Sequence, residues 1–399
     1  MQVSTNRTAI LWQQVWGLAA LLAAILFSFM AYGLYQPTIL KSLGFVELAT
    51  WLGIVQGFLG AVLEPLVGGL SDRIMRRVGC RLPMISVGVT LAGLLFVVLA
   101  LLIQGNLPNG VRWLVPVLMT VWVMAMIVFR GPAIALLIQF APLAELPKAS
   151  AILIFVLGLV GALGPLLGVL FQRLGASPTF ILGAIALVIG ALRLYSTTPK
   201  HSLVLPEENT QLAIPFLPLI LLFGVGMGAG LEINVLLGIV PQILTAQLGG
   251  IRPEYIASGI LLVSALAAIP LGELSIKLGV NRAMLLGLGA IAGLMGLSLL
   301  NRTPIPTLGL ILALGATFGL VFISQIPFAL SKVPLQLAGL GTGSYFGGMG
   351  AATALASILI VQLGKVTPTA GALWTAIAFL FAALCIAFSS IVSSPASQN

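Results

Sequence analysis

Three ionisable residues stand inside long apolar runs of this chain: Glu64, Arg130 and Glu232. A charge at mid-membrane costs a few kcal/mol, so a residue of this kind faces the interior of a helix bundle and marks a path for a ligand or a proton. Glu232 follows Gly224-Val-Gly226-Met-Gly228-Ala-Gly230, a small-residue stretch that permits close helix contact or a local break. It is expected to carry a proton or touch a substrate, with a buried structural hydrogen bond as the alternative. Arg130 precedes Gly131-Pro132, where proline removes a backbone donor and loosens the helix. It could hold an anionic or polyhydroxy ligand, or pair with Glu64 or Glu232. Glu64 lies eight residues before Asp72, about 12 Å along a helix, and reads as a structural partner of the basic residues that follow. Tyr32, Gln36, Asn234, Ser324 and Gln325 form a second, neutral set. Each is as open to a helix–helix hydrogen bond as to a ligand.

The densest charge lies between Pro65 and Pro83, a connection in which Asp72 is followed by Arg73, Arg76, Arg77 and Arg81, with Gly79 placed to break the helix. A carboxylate at the membrane boundary can pair with an arginine and with backbone N–H groups at a neighbouring helix end. The alternative is a set of solvated arginines that only set topology. No catalytic or metal-binding residue and no cofactor is predicted. The two cysteines, Cys80 and Cys385, and the single His201 in a polar loop supply neither a disulfide framework nor metal-ligand spacing. The Gly343–Gly348 run is Gly-rich, but no lysine follows and no strand precedes it, so it is no phosphate loop.

What positions these residues follows from composition. Of 399 residues, 60% are hydrophobic and 7% charged, with mean hydropathy +1.18. A soluble domain carries roughly a quarter charged residues, so this is a polytopic protein of the lipid bilayer. The net charge of +9 reflects loop topology and a shortage of acids, and implies no nucleic-acid partner. Twelve segments approach the roughly 20 apolar residues that a spanning helix needs. They are Leu11–Leu40, Ala49–Leu70, Pro83–Leu102, Trp113–Phe140, Ser150–Leu174, Thr179–Tyr195, Ile214–Leu236, Ile256–Ile276, Ala283–Leu300, Pro306–Leu330, Ala338–Leu363 and Ala370–Ile391. The expected organisation is an N-terminal six-helix half (1–195), a linker (196–213) and a C-terminal six-helix half (214–399). An even number of spans puts both termini on one side. That side holds eleven of the eighteen Lys and Arg, among them Arg7 and Lys200, and the other holds six, among them Arg302 and Lys365. Both termini are therefore expected to be cytoplasmic.

The halves repeat. Leu70-Ser71 with Arg73 recurs as Leu274-Ser275 with Lys277, and Gln36-Pro37-Thr-Ile39-Leu40 as Val240-Pro241-Gln-Ile243-Leu244, both offset by 204. Val128-Phe129 followed by Pro132 recurs as Val321-Phe322 followed by Pro327. Two parallel six-helix halves related about the membrane normal are the arrangement of a rocking secondary transporter.

The residues Gly68, Leu70, Ser71, Asp72, Arg73, Gly79 and Arg81 resemble the signature of the major facilitator superfamily, G-x-L-[SA]-D-R followed by glycine and basic residues. The spacing of Asp72-Arg73, Gly79, Arg81 and Pro83 is similar to its sugar–cation and sucrose–proton symporter branch. Phe129-Arg130-Gly131-Pro132 with Ala141-Pro142 and Lys148-Ala-Ser150 is similar to a second stretch of that branch. Cys80, Leu82 and Gln139 depart from its pattern. Gly161-Ala-Leu-Gly164-Pro165-Leu-Leu-Gly168 resembles part of the pattern of proton-coupled exporters.

The resemblance implies an all-α fold of twelve transmembrane helices, a cytoplasmic gate at Gly68, Asp72, Arg73, Gly79 and Arg81, and a cavity lined by the first, fourth, seventh and tenth spans. It implies transport of a small molecule by alternating access, with protons as partners, by a monomer. Three functions stay open: a sugar–proton symporter, which the loop spacing favours, a proton-coupled exporter of amphipathic compounds, and a non-transporting relative that assists pigment–protein assembly.

Overall fold

The computed structural model describes residues 9–105, 108–198, 214–300, 303–363 and 366–392. Arg7, Lys200, His201, Arg302 and Lys365 lie outside the described residues, as does the linker from 199 to 213. Among the described residues, twelve helices are long and apolar enough to cross a membrane. They are span 1 (Trp12–Ser42), span 2 (Val46–Val78), span 3 (Leu82–Gln104), span 4 (Leu114–Phe140), span 5 (Leu143–Ala162), span 6 (Ala176–Thr197), span 7 (Phe216–Thr245), span 8 (Pro253–Leu278), span 9 (Val280–Leu300), span 10 (Pro304–Ser331), span 11 (Leu335–Gln362) and span 12 (Pro368–Ile391). A helix satisfies its own backbone groups, which the hydrocarbon cannot do.

Two expectations about these elements change. Span 2 runs two turns beyond Leu70, so Asp72, Arg73, Arg76 and Arg77 are helical rather than in a loop. Arginines in a last turn face favourable carbonyl charge, and the helix ends at Gly79, whose φ of 73° suits a residue without Cβ. The run expected over Ser150–Leu174 breaks at Leu163 into Leu146–Ala162 and Gly164–Leu174, with Pro165 in the first turn of the second piece. Span 7 breaks likewise at Ile239, with Pro241 opening Val240–Gln247. Its repeat partner Pro37 stays inside a continuous helix.

The helices alternate in direction. On the basic-loop side, Leu11 N–H donates to the Phe140 carbonyl at 2.8 Å, and the Tyr195 hydroxyl donates to the Leu82 carbonyl at 2.6 Å. On the opposite side, the Tyr35 hydroxyl donates to the Phe171 carbonyl and Gln104 donates to Ser177. The apolar core falls into two large clusters, one drawn mostly from spans 1 to 6 and one from spans 7 to 12. In the first, Phe96 stacks between Trp122 and Phe180 at centroid distances of 4.3 and 4.9 Å. The second centres on Phe318, Phe328 and Tyr345.

Glycines set the closest helix approaches. Within the second half, a Cβ on Gly348 would fall onto the Phe223 carbonyl and lie 2.8 Å from the Met227 nitrogen. Gly348→Val is expected to lower stability by about 3 kcal/mol, the upper end of overpacking costs, seen as an earlier thermal unfolding of the detergent-solubilised protein.

Candidate functional site

Asp72 joins the two halves. Its carboxylate is 1% exposed and accepts from Arg81 Nη2 at 2.7 Å, from the Gly339 N–H at 2.8 Å and from the Leu340 N–H at 2.8 Å. Gly339 and Leu340 belong to the first turn of the α-helix Ala338–Leu363 of span 11, where backbone donors have no helical partner and the helix dipole is positive. Gly79 turns the chain so that Arg81, itself 2% exposed, lies under Asp72 and also donates to Ser71 Oγ at 3.2 Å. Gly68 completes the contact, because a Cβ there would strike the backbone of Gly339. Arg73, Arg76 and Arg77 are exposed and enter no ion pair among the described residues. Beyond span 10, Lys332 holds its ammonium 5.2 Å from the Phe328 ring, and burial pulls its pKa below the ordinary lysine value.

A second site lies at mid-depth between the halves. Spans 1, 4, 5, 10 and 11 enclose a cavity of about 320 Å³. Among the described residues its polar side chains are Arg130, Gln325 and Thr353, and the rest of the lining includes Phe29, Leu157, Phe322, Phe346 and Met349. Arg130 Nη2 donates to Glu64 Oε1, so Glu64 is the partner of Arg130 and not of the basic residues after Asp72. The arginine is 30% exposed and the glutamate 1%, which puts Arg130 on the wall and Glu64 behind it. Gln325 stands two residues before Pro327 as Arg130 stands two before Pro132, so the repeat places a polar side chain on the cavity from each half.

The halves touch from the basic-loop side to just past the level of this cavity and part beyond it. Along spans 2 and 11 a Cβ on Gly68 or Gly343 would strike backbone, and one on Gly57 would lie 2.9 Å from Ala354 Cβ, but Gly53 has nothing within 4 Å. Along spans 5 and 8, Cβ atoms on Gly272 and Gly158 would lie 2.9 Å from Ala151 and Ala265, while Gly168 faces open space. There a cleft of about 610 Å³ runs between Met30, Gly161, Pro165 and Gln172 on one wall and Leu237, Arg252, Tyr255 and Leu261 on the other.

The remaining predicted residues lie off the cavity wall. Glu232 is fully buried in the second half, and both carboxylate oxygens lack a hydrogen-bond partner among the described residues. Tyr345 of span 11, also fully buried, lies within electrostatic reach of it and has an unpartnered hydroxyl. Asn234 Nδ2 donates to Thr353 Oγ1 at 3.1 Å and so sits behind the cavity. Tyr32 and Gln56 exchange hydrogen bonds at 3.0 and 2.7 Å, with the tyrosine ring stacked on Trp122. Gln36 is buried with an unpartnered Nε2, and Ser324 meets Ser275 at 3.1 Å. Sequence reasoning missed Tyr345, Thr353 and the cavity phenylalanines. It also missed Gly339 and Leu340 as the donors to Asp72, although Pro334-Leu335 repeats Pro142-Leu143 and both prolines precede a 3-10 turn.

Twelve alternating spans in two repeated halves around a central cavity define a transporter-type bundle. Residues 17–356 match the model of the Major Facilitator Superfamily, and the chain belongs to that family. Membership places it with transporters rather than enzymes. No curated protein has a significantly similar sequence. Among solved structures, the human organic anion transporter MFSD10 (TETRAN) is similar at TM-score 0.70 and 15% identity, covering 94% of this chain and 99% of that one. A bacterial homologue of the iron transporter ferroportin, in an outward-facing state, is similar at TM-score 0.70 and 15% identity, covering 96% and 100%. The proton:xylose symporter XylE, bound to 6-bromo-6-deoxy-D-glucose, is similar at TM-score 0.73 and 13% identity, covering 97% and 96%. At these identities the likeness concerns the fold.

Proposed function

We propose that this protein moves a small amphipathic solute across the membrane by alternating access, with proton coupling. The central cavity between the two halves, with a cleft beyond it on the side away from the basic loop, carries this reading. Its volume of about 320 Å³ lies at the lower end of ligand pockets, roughly 300–1,000 Å³. A sugar needs a partner for nearly every hydroxyl, and an unmatched buried polar group costs about 1–3 kcal/mol. Three polar side chains in an otherwise apolar wall suit a solute with one polar end. Sugar–proton symport is the second reading, favoured by the Asp72, Gly79, Arg81 and Pro83 spacing of that branch.

In this reading the basic-loop side, with both termini, is cytoplasmic. The cleft then opens outward, and the halves 1–195 and 214–399 rock about the cavity as a monomer. Asp72, Arg81, Gly68 and Gly79 build the gate that holds the cytoplasmic side shut, with Arg73 on its rim. Arg130 and Gln325 contact substrate, Asn234 supports Thr353, and Tyr32 and Gln36 brace span 1. Glu232 carries the coupled proton.

The test is flux in proteoliposomes under an imposed pH gradient, with amphipathic dyes and acids beside a panel of sugars. Movement of an amphipathic compound driven by the gradient is expected. Sugar-driven alkalinisation would move the protein to the second reading. No flux of either kind would overturn transport and leave a role in pigment–protein assembly.

A further inference from the structure

We infer that the central cavity binds an organic anion, with its acidic head on Arg130, a donor group of the same molecule on Gln325, and its apolar body among Phe29, Phe322 and Phe346. The cavity's use rests on the transporter reading, while its chemistry rests on three observations of its wall.

The first is the asymmetry of the buried pair. Glu64 is 1% exposed and lies behind Arg130, which is 30% exposed, so the group presented to a ligand is the cation. A guanidinium has five N–H donors. One terminal nitrogen engages Glu64, and Nε has no partner. A cationic ligand would meet the arginine first and be repelled, because the carboxylate behind it is screened from the cavity.

The second observation is Gln325. It is 3% exposed, lines the cavity, and its Oε1 has no hydrogen-bond partner. A buried carbonyl oxygen is an acceptor that a ligand hydroxyl or N–H would satisfy. The third is the apolar remainder. The Phe29 ring lies 5.8 Å from the Arg130 guanidinium carbon, close enough to hold it by cation–π attraction while a hydrocarbon body packs beside it.

Glu64 competes with such a ligand for the same guanidinium, and this gives the inference a sign that a structural role would not have. Removing the arginine should abolish anion binding, whereas removing the glutamate charge should strengthen it.

The experiment measures equilibrium binding to the full chain in nanodiscs, with empty nanodiscs as control. The probes are diphenylacetate, its neutral isostere diphenylacetamide, and benzilate, which adds a hydroxyl. Diphenylacetate is expected to bind at least about tenfold more tightly than the amide, and benzilate more tightly still unless Gln325→Ala removes the acceptor. Arg130→Gln should abolish carboxylate binding, and Glu64→Gln should tighten it severalfold. The double variant Glu64→Gln/Arg130→Gln, which leaves no unpaired buried charge, keeps a folded comparison and should not bind. Equal binding of acid and amide, or weaker binding by Glu64→Gln, overturns the inference. Carboxylate binding without flux would support the site while overturning transport. Flux of neutral or cationic compounds with no diphenylacetate binding would support transport and overturn the anion site.

Discussion

Asp72→Ala is expected to open the basic-loop side of the protein and to destabilise it. The carboxylate makes bonds of two kinds. The pair with Arg81 lies within the first half and persists however the halves move, whereas the bonds to Gly339 and Leu340 cross between halves and exist only when this side is closed. Two charge-assisted bonds at roughly 1.5 kcal/mol each correspond to about a hundredfold in the ratio of open to closed forms. The loss of the internal pair leaves Arg81 buried without its carboxylate, which costs about 3–5 kcal/mol in stability. The two effects separate by measurement. With Cys80 and Cys385 replaced by serine, a cysteine placed at Ala338, fully buried at the start of span 11, reports opening by its alkylation rate, and thermal unfolding reports stability. Arg81→Gln should lower stability while leaving alkylation much closer to the unaltered protein, since the Asp72 bonds to span 11 remain. An unchanged alkylation rate in Asp72→Ala would mean that glycine packing alone holds this side shut.

How far these arrangements could be read from residues depends on whether the signal is local. Twelve runs of apolar residues and the repeat offsets were enough for the spans, because hydrocarbon imposes length and composition on each helix separately. Asp72 was legible for a similar reason: its signature, with Gly79 and Arg81, lies within a dozen or so neighbouring positions. A bond to backbone N–H groups at a neighbouring helix end was expected of it, but that these are Gly339 and Leu340 was not legible, because backbone donors at a helix start carry no side-chain signature. Arg130 and Glu64 were each visible as charges in apolar runs, but their pairing joins spans 2 and 4 across 66 positions. Position along a helix placed Glu64 near the basic residues; rotation about the helix axis turned it toward span 4 instead.

The repeat explains why so few polar residues suffice for the cavity. Span 4 and span 10 each place one polar side chain two positions ahead of a proline, where the loosened helix faces the other half. The copies have diverged in chemistry, a guanidinium in one half and an amide in the other, so the cavity is polar at opposite walls and apolar between. The gate has diverged further. The second-half counterpart of Asp72 at offset 204 is Ile276, and the halves meet there through Gly272 against Ala151 and an exposed Lys148–Glu273 pair at 3.9 Å. Exposed pairs contribute little, so the strong polar bond between halves is held at one of the two symmetry-related contacts.

Glu232→Gln is expected to leave the fold intact while uncoupling transport from the proton gradient. Neither oxygen of Glu232 has a partner in a fully buried site, and the Tyr345 hydroxyl nearby has none either. An ionised carboxylate here would be uncompensated, at a cost of several kcal/mol. The neutral acid avoids that cost, and glutamine reproduces its shape, so thermal stability should stay within about 1 kcal/mol of the unaltered protein. Leucine at this position would serve as a packing control with no polar group at all. A group that must gain and lose a proton as the halves rock cannot be replaced by an amide, however well the amide fits. Downhill solute movement in proteoliposomes should therefore persist in Glu232→Gln, while accumulation driven by an imposed pH gradient disappears. Accumulation that keeps its normal dependence on the gradient would make Glu232 a structural residue.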